Sequence, residues 1–250
     1  MVPRSALLAL VLAGCAGSPP PNVRLENVPA PETVRLHARP EPEFHPAEPG
    51  LRRLGLGSSR DGLLFVPEAA RSHPVPLLVM LHGAGGSAEH IWPTVKSDAE
   101  GHGIAVLLPE SRGWSWDYHL GNFGADLRFI EAALAEAFRR VPVDAGHVAL
   151  GGFSAGATMA LSLGTSNGDL FKWVFAFSPT GIAATGEVGH PSFLIAHGLQ
   201  DGLVPIAGTS RAIVPALRSA GYRVVFREFP GEHEVFPDAV HEALSLLVSD

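Results

Sequence analysis

The sequence predicts an α/β fold, a mostly parallel sheet of about eight strands with helices on both faces. Two observations carry this. From residue 51 onward, short apolar runs rich in Val, Leu, Ile and Phe alternate with stretches of helical periodicity. In addition, 46% of the 250 residues are hydrophobic and 17% charged, enough for one well-buried core and too short for two large domains.

The elements follow in order. "LRRLGL" and "GLLFV" flank "GSSRD" as a starting hairpin. "PLLVMLHG" (76–83) is a buried strand, followed by a weak helix near Ala88 to Glu100 that Pro93 interrupts. "IAVLLPE" (104–110) is the next strand. Residues 124–141 form the clearest amphipathic helix, with Leu127, Ile130, Leu134 and Phe138 on one face. The strand His147 to Gly151 leads into a helix from Ala155. Then come "WVFAFSP" (173–179), "SFLIAHG" (192–198), a helix near 206–220, "YRVVFREFP" (222–230) and a last helix near 237–248, with Asp238 as its N-terminal cap. Only "TGIAATGEVGHP" (180–191) separates the sixth and seventh strands, too short for a cap domain.

Between the fifth strand and its helix stands Ser154, in "GGFSAG". A sharp strand-to-helix turn leaves no room for side chains two residues either side of its apex, and Gly152 and Gly156 occupy those places. The G-x-S-x-G pattern holds a serine hydroxyl exposed in a strained conformation, as a nucleophile requires. Such a hydroxyl needs a base, itself oriented by a carboxylate. Asp201 follows the seventh strand and His233 the eighth, both at carboxyl ends, where open α/β sheets collect ligands. His197 lies on its own strand as a satisfied structural residue, and His241 lies inside the last helix.

The motifs "VMLHGAGGS", "PESRGWSWD", "VALGGFSAGATMALSLG", "NGDLFKWVFAFSP", "IAHGLQDGLVPI" and "FPGEHEV" carry a resemblance. From about residue 60 to its end the chain resembles the α/β-hydrolase superfamily. It is most similar there to phospholipase/carboxylesterase-like enzymes and their polyhydroxybutyrate-depolymerase and feruloyl-esterase neighbours. The resemblance implies the α/β-hydrolase fold and a serine esterase with a triad in the order Ser154, Asp201, His233. It implies an oxyanion hole from the backbone N–H of Ala155 and of Ala84, with Gly85 second. Glu232 departs from the pattern, standing where a glycine or small polar residue is expected. Two alternatives share the chemistry or the fold: a serine peptidase or amidase, and a non-catalytic envelope binding protein. The loop 111–124 places Trp114, Trp116, Tyr118 and Phe123 on the catalytic side. Trp114, Trp116 and Tyr118 are the candidate substrate wall, with packing of Trp116 and Phe123 as the alternative, and Asp117 is a candidate to hold the loop by hydrogen bonds.

Other chemistries find no signal. No H-E-x-x-H, P-loop or dinucleotide fingerprint is present, so no metal and no cofactor is expected. A net charge of −7 without Lys or Arg runs argues against nucleic acid as a partner. The expected partner is a small or polymeric ester, and no oligomeric state is indicated.

The beginning of the chain reads separately. Residues 1–14 have one basic residue, Arg4, an apolar run and small residues before the single cysteine, Cys15. "LAGC" resembles the bacterial lipobox, which implies cleavage before Cys15 and its lipidation, and hence a membrane anchor at the cell envelope. Ala16, rather than Asp, favours the outer membrane in a diderm organism. The proline-rich residues 15–49 read as a tether, and residues 50–250 as the catalytic domain.

Overall fold

The computed structural model describes residues 10–11, 34–41, 43, 45–57, 59–120, 123–183 and 186–249. Eight strands form one sheet: β1 (Gly50–Arg53), β2 (Leu63–Val66), β3 (Val75–Leu81), β4 (Ala105–Leu108), β5 (Val143–Phe153), β6 (Trp173–Phe177), β7 (Ser192–Gly198) and β8 (Val224–Phe229). Their spatial order is β1-β2-β4-β3-β5-β6-β7-β8. The β1–β2 hairpin and the β2–β4 pair are antiparallel, and all other pairs are parallel. Among the described residues five α-helices complete the fold: α1 (Ala88–His102), α2 (Ala125–Arg140), α3 (Ala155–Ser166), α4 (Ser210–Ser219) and α5 (Pro237–Val248).

Strand alternation divides the core between the two faces. Leu77, Val79 and Leu81 of β3 join residues of α2, α3 and α4. Leu78 and Met80 point the other way, into a cluster with α1 and α5. Registers such as Leu81 with Gly152 and Phe153 with Phe177 bring the carboxyl ends of β3, β5 and β6 to one edge, where the loops collect.

Three local expectations are corrected. Pro93 does not interrupt α1. The Ser87 hydroxyl caps the helix by accepting from His90 N–H at 3.3 Å, and burial of Ile91, Trp92, Val95 and Ala99 outweighs the one hydrogen bond that proline removes. The cap of α5 is Phe236, with Pro237 at the first helical position; Asp238 lies in the first turn without a capping bond. Packing of the domain begins before residue 50. Val34, Leu36 and Ala47 are buried, Asn167 bonds the backbone of Val34 and Leu36, and the Glu131 carboxylate accepts from His37 and Ala38 N–H. Arg35 forms a bidentate pair with Asp169 at 2.9 and 2.8 Å.

Among its described residues the β6–β7 connection contains no cap domain; its two-residue strand Gly181–Ile182 pairs antiparallel with Leu10–Val11. The rest of the predicted signal segment, with Cys15, and the tether as far as residue 33 lie outside the described residues. Among the described residues no helix is long and apolar enough to cross a membrane.

Candidate active site

Ser154 occupies the turn between β5 and α3 with φ 54° and ψ −119°, a conformation that L residues rarely adopt. The two glycines around it are required by contact. A Cβ on Gly152 would lie 2.3 Å from the carbonyl carbon and oxygen of Gly156. One on Gly156 would lie 2.4 Å from the Leu81 oxygen and 2.5 Å from that of His82. The turn is tied down by Ser154 N–H donating to Phe177 O at 2.9 Å.

The structure brings the three predicted residues together. His233 Nε2 is 2.9 Å from Ser154 Oγ, and its Nδ1 is 2.7 Å from Asp201 Oδ2. A carboxylate only accepts, so Nδ1 carries the proton and Nε2 is left to accept from the serine hydroxyl. The buried Asp201 is fully supplied with donors. Its Oδ1 accepts from Leu203 N–H at 3.1 Å and Val204 N–H at 2.7 Å, and its Oδ2 also receives His197 Nε2 at 3.1 Å. Gly198 lets the His233 loop approach, since a Cβ there would meet Glu232 O at 2.2 Å. Glu232 and Glu234 are exposed, and the Glu234 carboxylate accepts from Glu232 N–H, closing this turn.

The glycine-rich loop after β3 faces the serine. Among the described residues the N–H groups of Ala84 and Ala155 have no hydrogen-bond partner, and both residues line the cavity beside Ser154. Gly85 is corrected: its N–H donates to Trp114 O at 2.6 Å and is not available to a substrate. Its φ of +71° explains why glycine stands there.

A clamp unforeseen from the sequence holds this loop. His82 Nε2 accepts from Ser111 N–H at 3.0 Å, while its Nδ1 donates to Gly83 O at 2.7 Å. Arg60 donates to Gly86 O at 2.9 Å and to Ser111 O at 2.6 Å. This arrangement needs a neutral imidazole, and burial holds the His82 pKa down at about 4. The Asp126 carboxylate anchors the following loop by accepting from Arg112 and Asp117 N–H, and Asp117 answers by accepting from Asp126 N–H at 3.0 Å. Asp117 thus holds the loop as expected, whereas Arg60 and Asp126 carried no motif that marked them, and His82, although inside "VMLHGAGGS", was given no role there.

The cavity over Ser154 encloses about 640 Å³. Trp114 lies at its mouth, 75% exposed, with Leu203 at 60% on the wall. Tyr118 lines it from within, its hydroxyl 3.4 Å from Thr180 Oγ1. Trp116 is corrected: it is 1% exposed, lies outside the lining, and donates from Nε1 to His82 O at 2.8 Å. Phe123 is likewise core. Among the described residues no Asp, Glu, Lys or Arg lines the cavity.

Comparison with known proteins agrees with this architecture. Residues 124–248 match the family described as Phospholipase/Carboxylesterase. NocK of Nocardia uniformis subsp. tsuyamanensis, a protein named as an esterase, is 31% identical over 237 residues, 84% of this chain and 67% of its own length. An Aspergillus clavatus protein named as feruloyl esterase C is 28% identical over 162 residues, 60% of this chain and 58% of its own length. The chain therefore spans less than two thirds of that second relative. Among solved structures, S-formylglutathione hydrolase (FrmB) from Staphylococcus aureus superposes with a TM-score of 0.68 at 16% identity, over 82% of this chain and 98% of its own. At that identity the likeness shows the fold. With the curated relative and the family match, it leads to one assignment: the chain belongs to the phospholipase/carboxylesterase family of serine hydrolases, with the α/β-hydrolase fold.

Proposed function

We propose that the protein is a serine esterase that cleaves neutral carboxylic esters with Ser154, His233 and Asp201. The observation that carries this reading is the hydrogen-bonded chain from Ser154 Oγ through His233 to Asp201 Oδ2 beneath an apolar cavity. His233 Nε2 takes the hydroxyl proton as Ser154 Oγ attacks the carbonyl carbon. The oxyanion forms between the N–H groups of Ala84 and Ala155. His233 then protonates the leaving alcohol, and the same base activates the water that releases the acid from the acyl-enzyme. Asp201 keeps the imidazole in the required tautomer and offsets its positive charge. A cavity without charged walls favours acyl groups without charge, and Trp114 and Tyr118 offer aromatic surface to them.

Cys15 is the proposed lipid anchor, supported by "LAGC" and the apolar run before it, and it would hold the enzyme at the cell envelope. Ala16 favours the outer membrane where there is one.

Hydrolysis of p-nitrophenyl esters from acetate to long acyl chains, with one hydroxycinnamate ester, tests the proposal. Ser154→Ala and His233→Ala are expected to lose roughly 10³-fold or more in kcat while melting as cooperatively as the wild type. Wild-type turnover in either variant would overturn the assignment. Fractionating the same cells tests the anchor: Cys15→Ser moves activity from membranes to the soluble fraction, and unchanged fractionation rejects it.

A further inference from the structure

We infer that Asp98, His102 and His241 form a binding site for a zinc-class divalent ion that joins α1 to α5. Asp98 and His102 are four residues apart near the end of α1, so both project from one helix face. His241 comes from α5, 143 positions from Asp98. One ligating atom of each lies within 4.8 Å of the other two. His241 Nδ1 is 2.7 Å from Asp98 Oδ1, and the His102 and His241 ring centroids are 5.8 Å apart.

The donor set selects the metal. Two imidazole nitrogens and one carboxylate oxygen suit Zn²⁺, whereas Mg²⁺ and Ca²⁺ want oxygen ligands. Zinc–ligand bonds of about 2.0–2.2 Å in a tetrahedron put ligand atoms roughly 3.3 Å apart. Closing from the observed spacing therefore needs only side-chain rotation. The side chains can rotate, since Asp98 and His102 are half-buried and His241 is exposed. The Asp98–His241 hydrogen bond already orients two of the ligands, and the exposed side leaves the fourth position to water.

The site stands apart from the ester chemistry. None of its residues lines the cavity, and Asp98 and His102 lie toward the end of α1, whereas the oxyanion loop precedes its start. Its consequence is structural. α1 and α5 cover one sheet face through a shared apolar cluster, and an ion bridging them favours the folded state by mass action. No zinc motif marked it because its ligands lie on two helices far apart in the chain.

Titration of the metal-stripped, untagged full chain with Zn²⁺ alone, followed by calorimetry, tests the inference. One ion per chain is expected, with a Kd on the order of micromolar for three protein ligands. His102→Ala and His241→Ala are each expected to weaken binding about tenfold or more, and His73→Ala, an exposed histidine elsewhere, to leave it unchanged. Zinc should raise the melting temperature of the wild type and not of the double variant. Absence of stoichiometric uptake, or uptake that survives in His102→Ala/His241→Ala, overturns the site.

Discussion

His197 shares one carboxylate oxygen with the candidate base, which makes it more than core filling. Its Nε2 faces two acceptors, Val204 O at 2.8 Å and Asp201 Oδ2 at 3.1 Å, so that nitrogen carries the proton and Nδ1 accepts from the Ser210 hydroxyl at 2.7 Å. Burial lowers its pKa, which keeps it neutral and leaves the Asp201 charge to His233. His197→Phe keeps an aromatic ring, somewhat larger than imidazole, and removes the donor, so Asp201 loses one of its fixed directions. We expect kcat to fall about tenfold with KM nearly constant, and His197→Gln to recover most of it by restoring an N–H. A Phe variant with wild-type kcat would reduce His197 to packing. The sequence assigned His197 a structural role from its place on a strand and had no means of seeing the shared oxygen. Ser154 was legible from the glycines around it, and Asp201 and His233 from their places on the short loops that follow apolar runs. Trp114 and Trp116 were not separable, since residue type does not say which neighbour turns into the core. Gly85 stood second to Ala84 as a donor only through the resemblance, because the path of the loop decides which N–H is already used.

At the level of elements, the strands were legible as apolar runs, except the exposed first strand, which was legible only as one arm of a hairpin, and the segment before them was misread. Residues 34–41 contain one proline, Pro40, and form no regular secondary structure, but they are not a free tether. Val34 and Leu36 alternate with polar residues and bury their side chains. The backbone partners that a sheet would supply are replaced by Asn167 and Glu131, which are distant in sequence. Side-chain partners at such separations leave no local pattern. Full burial of Val34 and Leu36 is worth about 1.5–3 kcal/mol each, an upper bound. A chain beginning at Glu48 should therefore unfold at a clearly lower urea concentration than one beginning at Pro31. Equal midpoints would mean that the segment contributes nothing to the fold.

For the whole molecule, buried neutral histidines set how acid acts on the fold. The folded His82 titrates at about 4, against 6.5 unfolded, and the main cause is burial. Between those values the unfolded chain binds a proton that the folded one refuses. The stability from His82 is therefore complete above pH 6.5 and lost as pH falls through about 4. At about 1.4 kcal/mol per pKa unit, the gap amounts to about 3.5 kcal/mol. His197 acts in the same direction. Carboxylates held below their ordinary range, such as Glu136 beside Arg139 and Asp169 beside Arg35, begin to matter only at lower pH. Asp126 works the other way, since burial raises its pKa and acid relieves its charge. The range between 6.5 and about 4.5 is thus governed mainly by histidine. Because His82 bridges the loops after β3 and β4, protonating it breaks the Ser111 bond and releases the loop that carries Ala84. We expect urea midpoints to fall steadily from pH 7 to 4.5 in the wild type. His82→Gln should start lower at pH 7 and show a shallower decline, because the titrating group is gone. Parallel declines in the two proteins would place the acid sensitivity elsewhere in the fold.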